Sequence, residues 1–227
     1  MSQLALARLL QLASPALPVG AYTYSQGLEW AVESGVIRDE ASAGRWIADL
    51  LRHGIGCYEA PLLLALMRAW QSANAVEIAQ LNDEFLASRE SAELRAETLQ
   101  MGFSLRRLLR DLRDERLAPL ADTLDALPEV AFPTAWTALA AAWAIEPDAA
   151  VTAYLWSWAE NQAMAALKAV PLGQAAGQRL LAKLALQIPA VAVDAQKRPK
   201  TAWSNFAPGF AIACACHETQ YSRLFRS

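Results

Sequence analysis

Few side chains in this 227-residue chain could do chemistry, and they fall in a handful of places. Cys214-Ala-Cys216-His217-Glu218 is the one cluster of metal-type donors, since thiolate and imidazole together suit a soft or borderline ion. On a helix, however, residues two apart point about 200° away from each other. Cys214 and Cys216 could share an ion only where the helix unwinds. Ala211, Ile212, Ala213 and Ala215 around them make buried thiols an equally natural reading. Cys216 and His217 therefore stand as marginal metal candidates. The other histidine, His53, precedes Gly54 at an expected helix C-terminus, where the helix dipole is reason enough for it. No G-x-S-x-G, Walker loop or G-x-G-x-x-G occurs. Carboxylates converging from different helices would leave no linear signature, so a helical metal- or carboxylate-dependent enzyme stays open as the rival reading.

Lys168 falls in the last turn of an expected helix, just before Pro171. A cation there is favourable against the dipole, and a functional lysine is the alternative. The segment 89–116 carries Arg106, Arg110 and Arg113 among Asp111, Asp114 and Glu115, beside an apolar stripe of Met101, Leu105, Leu108, Leu109 and Leu112. Pairing within a solvated helix face explains these charges.

The elements that must position such groups are helices. The chain holds 48 Ala and 34 Leu and is 55% hydrophobic, a composition that excludes disorder and argues against a sheet protein. No apolar run approaches the roughly 20 residues of a membrane span. With 20 basic and 23 acidic residues, nothing advertises nucleic acid or anionic lipid. Three cysteines do not make a disulfide framework, and the N-terminus lacks the charged-then-apolar order of a secretion signal. The expectation is a reduced, cytoplasmic, soluble protein.

Pro and Gly punctuation predicts helices over 4–13, 23–34, 39–53, 57–72, 74–87, 89–116, 119–126, 134–144, 147–169, 173–188 and 208–217. Thr23 and Gln26 have the spacing of a capping box. Gly173 and Gly177 would allow a close helix–helix approach, and 194–208 reads as a flexible connection. The fold class is all-α: one compact domain over 1–227, a bundle of about ten helices with a short C-terminal tail.

Two further segments are too particular for plain bundle. The loop Ser14–Tyr22 carries Pro15, Pro18 and Gly20 and projects Tyr22 and Tyr24 near a helix start. The tail 218–227 mixes Gln220, Tyr221, Arg223, Leu224 and Phe225, the anchor chemistry of an interface. Termini fray unless docked, so the tail is expected to order only when a partner arrives.

Tyr24-Ser-Gln-Gly-Leu-Glu29 after the proline–glycine loop, Lys168-Ala-Val-Pro-Leu-Gly-Gln174, and His217-Glu-Thr-Gln-Tyr-Ser-Arg-Leu-Phe-Arg-Ser227 together resemble the UreF family of urease accessory proteins. Arg89-Glu-Ser-Ala-Glu-Leu-Arg95 is similar as well. The resemblance spans nearly the whole chain. It implies a non-enzymatic, cofactor-free helical protein that dimerises and acts in the GTP-dependent insertion of nickel into apo-urease. It also implies that the protein binds UreD (UreH in some organisms), recruits the nickel-carrying GTPase UreG, and contributes to an internal nickel passage. Carried over by position, Tyr22, Glu29, Lys168 and Arg223 are implied partner contacts, and the tail residues Gln220, Tyr221 and Phe225 join them.

Overall fold

Proline at the first or second position starts five helices, where its missing N–H and fixed φ cost nothing. Side-chain caps start four others: Ser2, Asp39, Asn74 and Ser91 each accept a backbone N–H from the first turn. The computed structural model describes residues Met1–Ser227 and contains twelve α-helices and no strand. The first six are α1 Gln3–Leu12, α2 Leu28–Glu33, α3 Glu40–Leu50, α4 Glu59–Gln71, α5 Ala75–Ala87 and α6 Ala92–Asp111. Then come α7 Ala118–Asp125, α8 Phe132–Ala142, α9 Pro147–Ala169, α10 Gln174–Ala185, α11 Ile188–Lys197 and α12 Pro208–His217. The all-α expectation is met. No helix is long and apolar enough to cross a membrane.

The centre is built from α4, α8 and α9. In α4 every side chain from Glu59 to Met67 is buried, and in α8 the run Pro133–Ala140 is buried throughout. Alanine makes this possible: helices that are apolar all round can be surrounded on every side only if small side chains let neighbours close in. Gly102 of α6 lies so near the turn before α8 that a Cβ there would run into the Val130 carbonyl. Longest of the twelve, α9 packs against α2, α3, α4, α10 and α11 and so spans the molecule.

Several sequence expectations are corrected. Thr23 and Gln26 form no capping box: Thr23 Oγ1 donates back to the Gly20 carbonyl at 2.8 Å, and Ala21–Thr23 make a short 3₁₀ turn. Gln26 and Gly27 then take left-handed φ of 53° and 73°, so α2 begins only at Leu28. The polar helix is shorter than 89–116, running from its Ser91 cap to Asp111, which leaves Arg89 and Glu90 outside it. Of the two glycines, only Gly177 meets α9, where a Cβ would sit 2.5 Å from Leu167; Gly173 faces open space. The 194–208 segment is not loose. A helix not foreseen, α11, runs to Lys197; Ser204 N–H then donates to the Cys57 carbonyl at 3.2 Å, and Asn205 Nδ2 to the Ser88 carbonyl at 2.8 Å. The α3 helix runs on into a π turn, Leu51–Ile55, which holds exposed His53.

Candidate functional site

The three motif segments meet in space. Gly27, with φ of 73°, lets α2 lie against α12, where a Cβ would sit 2.9 Å from the Cys214 nitrogen. That contact sets Glu29 of α2 beside His217 at the end of α12. Glu93 and Glu97, one turn apart on α6, close the other side.

The tail runs through this gap. Glu29 Oε1 accepts the Leu224 N–H at 2.7 Å, and Oε2 accepts the Phe225 N–H at 3.0 Å while facing His217 Nε2 at 3.2 Å. His217 Nδ1 lies 2.6 Å from Glu93 Oε2, and Arg223 donates to Glu93 Oε1 at 2.6 Å. Further on, Arg226 N–H donates to the Thr23 carbonyl at 2.8 Å. The Ser227 carbonyl accepts from the N–H of Ser25 at 2.6 Å and of Gln26 at 3.0 Å. Ser227 Oγ donates to Glu97 Oε2 at 3.0 Å. At the near end Glu218 takes the Ala92 N–H at 2.7 Å, where a carboxylate also complements the start of α6. The tail expected to await a partner is docked on its own chain.

Lys168 joins the loop to the tail. Its Nζ reaches the Tyr22 carbonyl at 3.4 Å and lies 5.7 Å from the Tyr22 ring and 5.4 Å from the Phe225 ring, within cation–π range. Tyr22, Lys168, Tyr221 and Arg223 are exposed, and Gln220 is partly so. Glu29 and Phe225 are buried, so these two act on the chain's own tail rather than presenting themselves to solvent.

Below the loop lies a cleft of about 270 Å³, walled by Phe85, Phe132, Trp136, Tyr154 and Trp158 and floored by Glu59 and Glu97. Arg89 donates to Glu59 Oε1 at 2.8 Å, and the Tyr154 hydroxyl to Glu59 Oε2 at 3.0 Å. Burial, then the Glu59 charge, raises the Tyr154 hydroxyl well above the ordinary tyrosine range. Gln26 bridges cleft and tail: its amide donates to Glu97 at 2.8 Å and accepts from Trp158 Nε1 at 2.7 Å. Burial pushes the Glu97 carboxyl up to about 7, against the opposing pull of the Gln26 and Ser227 hydrogen bonds. A carboxyl raised in the folded state contributes stability that is complete below its ordinary value of 4.5 and is lost as pH rises toward 7. Glu97→Gln should therefore flatten the pH dependence of urea unfolding over that window. Above it, the variant should gain on the order of 3 kcal/mol over the native chain; equal slopes in the two proteins would refute this.

The metal candidates do not assemble. His217 Nδ1 and Nε2 each lie at hydrogen-bond distance from a carboxylate oxygen. Cys214 is buried, with its thiol raised by desolvation and the nearby acids. No group of three or more His, Cys, Asp or Glu is placed to hold a metal ion. Sequence reading missed Glu59 and Glu97, and it quoted Ser25, Gln26, Arg89 and Glu93 within motifs without giving them a site role. The spacing of Glu93 and Glu97, four apart on one helix face, is the signal that could have found two of them. In the polar segment, Arg106 and Arg110 pair with Asp125 of α7, as a solvated face would.

Fold and site together define an all-helical protein in which Glu29, Glu93 and Glu97 fix its own loop and tail, while buried Glu59 is held by Arg89 and Tyr154. The UreF family profile matches residues 37–185. A urease accessory protein UreF of Dechloromonas aromatica (strain RCB) is 76% identical over 224 residues, covering 99% of this chain and 98% of the relative. Another, from Azoarcus sp. (strain BH72), is 62% identical over 227 residues, covering 99% and 96%. A third, from Methylobacillus flagellatus, is 50% identical over 222 residues, covering 98% and 97%. The chain belongs to the UreF family of urease accessory proteins.

Proposed function

We propose that the chain is a non-enzymatic scaffold for urease maturation. It holds UreD (UreH) and the GTPase UreG on apo-urease during GTP-dependent nickel insertion, and it works as a cytoplasmic homodimer. Nickel is cargo here, not a resident cofactor. One observation carries the reading: Glu29, Glu93 and Glu97 are engaged by the chain's own tail, while Tyr22, Lys168, Tyr221 and Arg223 around them stay exposed. A catalytic centre would keep reactive groups open to a substrate; an interface keeps aromatic and cationic anchors open to a partner. Docking the tail in advance removes part of the ordering cost, roughly 2–5 kcal/mol, that a segment folding on binding must meet.

Deleting Gln220–Ser227 should abolish co-purification with UreD and leave the helical circular dichroism intact. Tyr221→Ala removes a fully exposed ring and no internal bond, and should weaken the complex by about 2 kcal/mol, near 30-fold in Kd. Retained complex formation by the deletion variant would end the reading. The carboxylate-floored cleft is the feature that a helical enzyme would use. Turnover by the purified chain alone, lost in Glu97→Gln, would favour that alternative.

A further inference from the structure

The buried histidine of the tail clamp has a proton count that its two neighbours do not satisfy. His217 is fully enclosed, with Nδ1 at 2.6 Å from Glu93 and Nε2 at 3.2 Å from Glu29. A neutral imidazole has one N–H and one lone pair. With two ionised carboxylates, one ring nitrogen would face a carboxylate oxygen lone pair to lone pair. Both contacts are hydrogen bonds only when the trio holds one extra proton, on the ring or on a carboxyl. Charge gives the same answer. Glu29 and Glu93 bring two negative charges and Arg223 one positive, so a single added proton neutralises the cluster.

The surroundings supply no substitute cation. Glu218 faces the N-terminus of α6, Glu97 lies one turn beyond Glu93 and bonds Ser227, and Glu90 and Arg89 are the charges near Cys214, one turn back on α12. Arg89 is already engaged by Glu59, and Arg226 reaches toward Tyr24. The groups that would move with the proton are the ones holding the tail, because Glu29 carries the Leu224 and Phe225 N–H bonds and Glu93 carries Arg223.

We propose that His217 is a proton-dependent positioning residue: with Glu29 and Glu93 it locks the tail, and loss of the shared proton releases Leu224–Ser227 together with the anchor Arg223. This deepens the reading of the tail as a partner anchor by giving it a docked and a released state. Wherever the released ring is neutral, the docked state holds one more proton than the released state, so docking weakens as pH rises, by about tenfold per pH unit.

Hydrogen exchange at the Leu224 and Phe225 amides tests this on the full chain without partners, so its failure and failure of the scaffold reading are separable. Every protein compared carries Glu97→Gln, because Glu97 bonds Ser227 and would add a slope of its own near pH 7. In the otherwise native protein, protection corrected for intrinsic rate should fall at least about tenfold between about pH 6 and about pH 8. His217→Gln should lose this pH dependence. Glu93→Gln gives the sharper test: its amide N–H can donate to an unprotonated Nδ1 while its oxygen still receives Arg223, so the site closes without the extra proton. Protection in that variant should be flat across the range and at least native at the upper end. A merely structural histidine would give native protection without pH dependence, or the same slope in Glu93→Gln as in the native chain. Either result overturns the proposal.

Discussion

Arg89→Ala should destabilise the protein by about 3–5 kcal/mol, the cost of removing one partner from a buried ion pair. Arg89 and Glu59 have side chains only 11% and 9% exposed, and the guanidinium lies 4.1 Å over the Phe85 ring besides meeting the carboxylate at 2.8 Å. Truncation leaves Glu59 charged at the floor of the cleft, with the Tyr154 hydroxyl as its one remaining side-chain donor, and it removes the cap over Phe85. For a chain of this length the loss corresponds to a fall in Tm of roughly 10 °C. The penalty comes from an orphaned charge rather than from a lost attraction, so adding Glu59→Gln to Arg89→Ala should recover a good part of it. Thermal unfolding of the two single variants and the double variant checks this. A loss under about 1 kcal/mol in Arg89→Ala, or no recovery in the double variant, would show that water in the cleft already serves Glu59.

Glu29→Ala should free the tail while the bundle stays folded. The side chain is buried and serves three groups: the N–H of Leu224, the N–H of Phe225 and the His217 ring. Leaving buried donors without an acceptor costs about 1–3 kcal/mol each, and the tail avoids that cost by undocking into water. The docked state should weaken by on the order of 3 kcal/mol, about a hundredfold in its population ratio. Leu224 and Phe225 amides should then exchange as in an unstructured peptide, with the helical circular dichroism unchanged. Co-purification with UreD should fall toward that of the deletion variant, although Glu29 itself is out of a partner's reach. Glu29→Gln keeps one acceptor oxygen and should fall between. A fully protected tail in Glu29→Ala would show that Ser25, Gln26 and Glu97 hold it unaided.

Helices are legible wherever one short-range rule governs. Pro147 and the Ala-rich run after it mark α9, and Asn74 marks the start of α5, because a cap or an N-terminal proline acts within a single turn. Boundaries fail where a distant contact overrides the local pattern. Thr23 and Gln26 have capping-box spacing, yet the Gln26 amide is claimed by Glu97 and Trp158 from α6 and α9, so the backbone turns left-handed and α2 starts later. The 194–208 segment reads as loose because its ties, to Cys57 and Ser88, lie more than a hundred residues away in the chain.

By itself the sequence determined an all-helical chain, its apolar stripes, the family resemblance and the three segments that matter. These follow from composition, periodicity and motif, all of which are properties of neighbouring residues. Only the tertiary structure decided that the segments meet, that Glu29 and His217 face inward, and that Glu93 and Glu97 receive the tail. A carboxylate reads the same in a sequence whether it faces water or a buried imidazole; its partner, and so its role, is set by which helices pack together.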